Sequence, residues 1–193
     1  LQVASEAGII IVSGNVLFHG RGSGSQQGIY LADRSIPTEP FRIADTATAI
    51  PGGIGNFTAF QNAPGFSGSD VAFVGSGSAG LQGLYAAAIL AAPPIRAQTV
   101  GLLAPPQVGA PLRLAATATA IPGGTGNFTE FPSGPTLSGS EVAFIGNGSG
   151  GQQGLYAVAL LTPPQVGTPR RIADTATAIP GGTETRVMGP PRC

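Results

Sequence analysis

Short apolar runs, bounded by Gly, Ser and Pro, recur along the chain. Two examples are VAFVG from Val71 and VAFIG from Val142. Runs of β-branched and aromatic residues between turn residues are typical of β-strands. Pro and Gly recur too often for long helices, because each costs about 1 to 3 kcal/mol in a helix interior. The pattern predicts an all-β fold, and residues 84–92 are expected to form a strand because they align with a strand-like run of another repeat.

The runs belong to three internal repeats, which a search for self-similarity brings out first. In each repeat a Tyr follows a Phe by 12 residues, and the pairs are Phe18 and Tyr30, Phe73 and Tyr85, and Phe144 and Tyr156. A second element, R-[IL]-A-[DA]-TATAIPGG, begins at Arg42, Arg113 and Arg171. These repeats predict a single array over residues 1–193, with units at about 1–53, 54–124 and 125–182 and an irregular tail at 183–193.

Each repeat predicts four strands. Two form a hairpin around a Gly-rich loop, a third contains the Arg of the second element, and a weaker fourth contains NFTAF or NFTEF. Four short strands per unit is the pattern of a β-propeller blade. Strand alternation places Val71 and Phe73 on one face of the sheet and Ala72 and Val74 on the other, so each face of this strand is expected to meet one neighbouring blade.

Three blade-like units are fewer than the four to eight blades of a closed propeller. Such an array has two open end faces with apolar residues and unpaired edges, and few charges to discourage pairing. We therefore expect the chain to self-associate, with a two-fold, six-bladed dimer as the preferred form because it covers both open faces.

The second unit contains an insertion. Arg113 follows Tyr85 by 28 residues, whereas the corresponding spacings in the other units are 12 and 15. A constant framework with one variable connection is typical of a loop on a repeated scaffold. Deletion of residues 93–101 is accordingly expected to be nearly neutral for folding.

The unit SGSEVAFIGNGSGGQQGLYAVAL…RRIADTATAIPGG, from Ser138, resembles the bacterial surface tandem repeats of the Asn-x-x-Gly-x-x-Ala-Phe type, in which the C-terminal anchor varies. It is also similar to the propeller blades of the TolB and WD-like classes. The resemblance extends from Ile9 to Gly182. It implies a secreted or surface-displayed β-repeat protein without enzymatic activity.

Charge and cysteine content narrow the classes of partner. The nine basic residues are all Arg, they balance nine acidic residues, and charged residues make up 9% of the chain. A chain without a basic surplus does not have the electrostatic footprint of a nucleic-acid-binding protein. The single cysteine, Cys193, predicts neither a disulfide framework nor a thiolate metal site. Residues 7–12 are expected to form a short buried strand, and no signal peptide, anchor or membrane span is expected.

Candidate chemistry is sparse. His19, the only histidine, has no ligand partners at metal-binding spacing and is expected to be a structural or solvent-facing residue at a strand end. The Gly-rich segments lack the Lys that a phosphate loop needs, and they are expected to be hairpin loops. A cation site at Asp70, Glu141 or Asp174 is the weaker alternative, because calcium needs more oxygen ligands. We therefore predict no catalytic, cofactor-binding or metal residues and no cofactor.

The recurring polar residues have structural interpretations. Asp45 and Asp174 share one motif position, where Ala116 replaces them in the second unit, so they are expected to cap a turn through Asx-type hydrogen bonds. The three motif arginines are expected to cover a neighbouring blade with their stems, with an anion-binding row as the alternative. The three repeat tyrosines are expected to be half-buried with their hydroxyls bonded. Three sequons begin at Asn56, Asn127 and Asn147, and turn chemistry accounts for two of them.

These observations favour a non-catalytic, extracellular or cell-surface repeat protein that binds protein or polysaccharide partners or assembles. A lectin or enzyme on a propeller scaffold is one alternative. A repeat fragment without independent function is the other. An enzyme would break the repeat symmetry with polar residues that converge on one channel, whereas the asymmetry of this chain is an apolar, Pro-rich insertion.

Overall fold

The computed structural model describes residues 2–3, 9–12, 14–33, 39–90, 107–161, 165–178 and 180–181. The described residues form strands, turns and two short 3-10 turns, and contain no α-helix. The strands make three antiparallel sheets, each drawn from one repeat. The predicted all-β class is therefore confirmed.

The strands of the three sheets follow one another along the chain. The first sheet contains β1 (Gln2–Val3), β2 (Ile10–Val12), β3 (Asn15–Arg21), β4 (Gln27–Asp33) and β5 (Phe41–Asp45). The second contains β6 (Ala59–Phe66), β7 (Asp70–Ser76), β8 (Gln82–Leu90), β9 (Gln107–Val108) and β10 (Leu112–Ala116). The third contains β11 (Phe128–Glu130), β12 (Thr136–Ser138), β13 (Glu141–Gly148), β14 (Gln153–Ala159) and β15 (Arg170–Asp174).

The same hairpin lies at the centre of each sheet. The central strands are β3 and β4, β7 and β8, and β13 and β14, and in each hairpin the repeat Phe pairs with the repeat Tyr. The two rings stack with centroids 6.0, 5.9 and 5.6 Å apart in the first, second and third sheets. We call the face that carries these rings the aromatic face of each sheet, and the opposite face, with Ile29, Leu84 or Leu155, the aliphatic face.

The sheets stack so that the aliphatic face of one is covered by the aromatic face of the next. In the first interface, Leu17 and Ile29 pack in one cluster with Phe57, Phe73 and Tyr85. The second interface repeats the arrangement, with Val74 and Leu84 in one cluster with Phe128, Phe144 and Tyr156. The predicted alternation in β7 is confirmed, because Val71 and Phe73 belong to the first cluster and Ala72 and Val74 to the second.

Two sequence-based expectations on strands have different outcomes. Residues 84–90 lie in β8, so the strand interpretation of that run is confirmed for its described part. The N-terminal apolar run forms the strand Ile10–Val12 at the edge of β3, and it is buried on one face only. Ile10 packs against the first cluster, whereas Ile9 and Ile11 are 57% and 61% exposed, so the expected buried strand is a half-exposed edge strand. Residues 93–101 of the insertion lie outside the described residues.

Candidate functional site

The motif arginines of the second and third sheets link each sheet to the connection that precedes it. Arg113 donates from Nη1 to the carbonyl oxygen of Gly52 at 2.8 Å, and Arg171 donates in the same way to Gly123 at 3.0 Å. Both glycines belong to the Ile-Pro-Gly-Gly turn that crosses from one sheet to the next. The expectation that these arginines only cover a neighbouring sheet with their stems is incomplete, because their guanidinium groups bind backbone carbonyls.

The two glycines are suited to this contact. Gly52 and Gly123 both have φ of +66°, and a Cβ there would lie 2.6 Å from the guanidinium carbon of Arg113 and 3.1 Å from that of Arg171. A side chain would therefore be strained by the backbone and would collide with the arginine. The turn and the arginine form one contact, which we call the arginine link.

Asp45 and Asp174 organise the turns that follow β5 and β15. Asp45 accepts hydrogen bonds from the Ala47 backbone N–H at 3.0 Å and from Thr48 Oγ1 at 2.9 Å. Burial alone would raise the pKa of Asp45, but these hydrogen bonds and the charge of Arg42 hold it below its usual value. The expected Asx-type turn is confirmed by these bonds.

Asp174 repeats the arrangement in the third unit. Its carboxylate accepts from Thr177 Oγ1 at 2.9 Å and from Arg171 Nη1 at 2.6 Å. The Thr177 hydrogen bond is the main cause that lowers the pKa of this carboxyl. In the second unit, where Ala116 takes the position, the carboxylate bonds are lost. The Ala116 N–H still donates to Thr119 Oγ1 at 2.9 Å, and the Thr119 N–H donates to the Ala116 carbonyl oxygen at 2.7 Å.

The tyrosines differ from the expectation. Tyr30 is half-buried, as predicted, but Tyr85 and Tyr156 are fully buried. Their hydroxyls have no hydrogen-bond partner among the described residues, so the prediction that they are bonded was wrong. Each ring lies over the glycine two residues earlier in its own strand, where a Cβ on Gly83 or Gly154 would be 2.7 Å from the hydroxyl oxygen. The hydroxyl therefore faces backbone carbon.

His19 lies inside β3 and is 4% exposed, so it is neither at a strand end nor solvent-facing. Its ring is 6.4 Å from that of Phe60, in the interface between the first and second sheets, at the position that Val74 occupies in the next unit. Burial lowers the pKa of His19, and the charge of Arg21 lowers it further. Nε2 has no partner among the described residues.

The sequence-predicted polar residues are not brought together. Glu141 pairs with Arg170 and Asp174 with Arg171, while Asp70 accepts from Ser69 Oγ at 2.8 Å. The described residues contain no cluster of three or more His, Cys, Asp and Glu side chains that would suit a metal ion. Cys193 lies outside them.

Two of the sequons are part of the core. Phe57 and Phe128, the central residues of those sequons, are each 1% exposed and pack edge-on against Tyr85 and Tyr156. The asparagines before them, Asn56 and Asn127, make isolated bridges in the connecting turns. These contacts agree with a turn role for the sequence.

A cleft of about 510 Å³ lies between the second and third sheets. Alanines and leucines line it, among them Ala86, Ala87 and Leu160, and its polar lining includes Asp70 and Ser140. A shallower depression of about 350 Å³ lies on the aliphatic face of the third sheet, lined by Ile145, Leu155 and Ala173. Sequence patterns did not indicate either depression, because each depends on how the strands are placed in space.

No described residue covers the aliphatic face of the third sheet. Ile145, Leu155 and Ile172 are 37%, 41% and 45% exposed, whereas the equivalent residues of the second sheet, Val74, Leu84 and Leu114, are 1%, 0% and 5% exposed.

No helix in the described part of the chain is long and apolar enough to cross a membrane. Comparison with known proteins gave no match to a family model, to a curated protein or to a solved structure.

Proposed function

We propose that this protein is a non-catalytic, secreted or surface-displayed repeat protein whose sheets stack as propeller-like blades and whose function is assembly. The main support for the proposal is that the polar residues of the repeated motif bind the turns between strands and sheets in more than one unit. Arg113 and Arg171 hold the turn that precedes their own sheet, and Asp45 and Asp174 close the turn that follows theirs.

An enzyme or a lectin would use such residues differently. Catalytic groups lie within hydrogen-bond reach of one another around one pocket. Sugar-binding sites present aromatic rings to solvent, whereas the rings of Tyr85 and Tyr156 are buried between sheets. The burial of these rings and the dispersal of the carboxylates favour the assembly function over both alternatives.

Two measurements test the proposal. The purified chain is assayed against ester, peptide and glycoside substrates beside the variants His19→Val and Asp45→Ala, and no turnover above background is expected from any of them. Turnover that the wild type shows and either variant loses would contradict the non-catalytic assignment. Antibody labelling of intact and lysed native cells tests localisation, and we expect intact cells to be labelled.

A further inference from the structure

The uncovered face of the third sheet has two covered counterparts in the same chain. The aliphatic faces of the first and second sheets are each covered by an aromatic face with a stacked Phe–Tyr pair. The third face carries the same kind of side chains, at Ile145, Leu155 and Ile172, and it holds the depression of about 350 Å³. The repeat itself therefore indicates what kind of surface fits there, namely another aromatic face.

The turn beside that face has the backbone of an arginine link. Gly181 occupies the position of Gly52 and Gly123 in the Ile-Pro-Gly-Gly motif and has φ of +76°. At the other two glycines a guanidinium lies against the site of a Cβ, but at Gly181 no atom of the described residues beyond its chain neighbours lies within 4 Å of that site. The geometry of the turn is thus present at Gly181 without the arginine that accompanies it elsewhere.

The first sheet presents part of the complementary surface. Val16 and Tyr30 are partly exposed on its aromatic face, whereas their equivalents in the second sheet, Val71 and Tyr85, are 0% exposed. Phe18, which stacks on Tyr30, is 6% exposed, so Val16 and Tyr30 are the part of the stacked face that a partner can reach. Arg42 occupies the motif position of the linking arginines, and its side chain is 60% exposed. Its partner among the described residues is Asp45, at 3.3 Å.

We propose that the aliphatic face of the third sheet binds the aromatic face of the first sheet of a second copy of this chain, with Arg42 of that copy donating to the Gly181 carbonyl. The inference rests on the proposed assembly function and names its partner. The contact is head-to-tail: the aromatic face of the first sheet is the head, and the aliphatic face of the third sheet is the tail. It reproduces the two interfaces inside the chain. Two copies that bind each other through both faces form a closed pair. Copies that bind a different neighbour through each face form an open array.

A complementation experiment tests the contact. Ile172→Arg places a charge on the third sheet, and Val16→Arg places one on the first. Ile54→Arg is the matched control, because Ile54 is 89% exposed and lies in the connection between the first two sheets. Sedimentation velocity is measured over a series of concentrations, and circular dichroism checks that each variant folds. If Ile172→Arg does not fold, Leu155→Arg is used in its place, and Ala32→Arg likewise replaces Val16→Arg.

We expect the wild type and Ile54→Arg to associate and each face variant alone to be monomeric. A mixture of the two face variants should form a one-to-one complex, because the head of one and the tail of the other are intact. Arg42→Ala should weaken the wild-type association about tenfold, as expected for loss of one charge-assisted hydrogen bond.

Three outcomes would overturn the inference. The first is a wild type that stays monomeric at all concentrations. The second is association that survives in Val16→Arg but not in Ile172→Arg, which indicates tail-to-tail pairing or a different partner surface. The third is association that neither face variant disturbs. A monomeric wild type would also contradict the assembly function, whereas the second and third outcomes contradict only this head-to-tail contact. The substrate assays and the cell labelling test the non-catalytic and surface assignments separately from both.

Discussion

Tyr85 and Tyr156 each bury a hydroxyl that has no hydrogen-bond partner in the described part of the chain. Burial raises the pKa of Tyr85 to about 12, because the phenolate would lose its hydration. An unpaired buried hydroxyl destabilises a fold by about 1 to 3 kcal/mol relative to a paired one. The rings still contribute their packing, so the hydroxyl is the unfavourable part of each residue.

We therefore expect Tyr85→Phe to raise the free energy of unfolding by about 1 kcal/mol, because it removes the unpaired group and keeps the ring. Urea unfolding followed by circular dichroism measures the change. Tyr30→Phe is the control, since Tyr30 is half-buried and its hydroxyl is not among the unpaired buried groups; little change is expected there. A clear loss of stability in Tyr85→Phe would mean that its hydroxyl is bonded.

His19 makes the first interface sensitive to acid. Its pKa is lowered from 6.5 by burial, so the unfolded chain binds the proton more readily than the folded chain does. The contribution of neutral His19 to stability is thus complete above pH 6.5 and is lost as the pH falls through the lowered pKa. Arg21 acts in the same direction, because it disfavours a second positive charge nearby.

The prediction is that the midpoint of thermal unfolding decreases when the pH is lowered from neutral towards 5, and that His19→Val removes part of this decrease. Valine is the residue that the second unit has at this position, Val74, where it is 1% exposed. Asp45 and Asp174 lose their hydrogen-bonded charge only at lower pH, because their pKa values are held below the usual range. Equal pH dependence in wild type and variant would show that the pKa of His19 is the same in the folded and unfolded chain.

At the scale of the strand and turn, the Ile-Pro-Gly-Gly motif provides three comparable glycines, two of which belong to an arginine link. Gly52, Gly123 and Gly181 all have positive φ, so an alanine at any of them carries a similar backbone strain of about 1 to 2 kcal/mol. The first two alanines would in addition push against a guanidinium that is bonded to a carbonyl, more strongly at Gly52 than at Gly123, whereas the third meets no atom of the described residues within 4 Å.

We expect Gly52→Ala and Gly123→Ala to destabilise the isolated chain by about 1 kcal/mol more than Gly181→Ala does, the value of one exposed hydrogen bond. A double-mutant cycle with Arg113→Ala should reduce the effect of Gly52→Ala to that of Gly181→Ala. Chemical unfolding at a concentration where the chain is monomeric gives these values. Equal losses at all three glycines would mean that the arginine contributes nothing.

The sequence predicted most of the strands and which residues share a face, but it predicted few of the contacts between strands and turns that are distant in the chain. The alternation of Val71, Ala72 and Phe73 is local, so their two faces could be read from the sequence. The arginine link joins residues 61 and 48 positions apart, and a motif shows that its arginine and its glycine recur but not that they meet. The tyrosine hydroxyls escaped prediction for the same reason, since their surroundings depend on ring placement over Gly83 and Gly154.

At the scale of the whole molecule, the three sheets differ in how they are covered. The second sheet is covered on both faces, as the burial of Val71 to Val74 shows, while one face of the third is exposed. Local opening is governed by the apolar surface that an element buries. The central strands of the second sheet should therefore be the most protected part of the described fold.

Amide hydrogen exchange is expected to be slowest in β7 and β8 and faster in β13 and β14. Raising the protein concentration should slow exchange in the third sheet towards the value of the second, if the exposed face is occupied by another copy. The ratio between the two sheets, followed over a concentration series, is the measured quantity. Slower exchange in the third sheet of the dilute chain would contradict this order.

The direction of stacking also has a consequence for synthesis on the ribosome. The aliphatic faces of the first and second sheets are covered by rings that are translated later, so Leu17 and Ile29 remain exposed until Phe73 and Tyr85 have been made. At roughly 5 to 20 residues per second, a finished first sheet keeps an apolar face open for several seconds while the next unit emerges. Nascent chains on neighbouring ribosomes carry the same face, so we expect this interval to be the stage of synthesis at which the chain is most prone to aggregate.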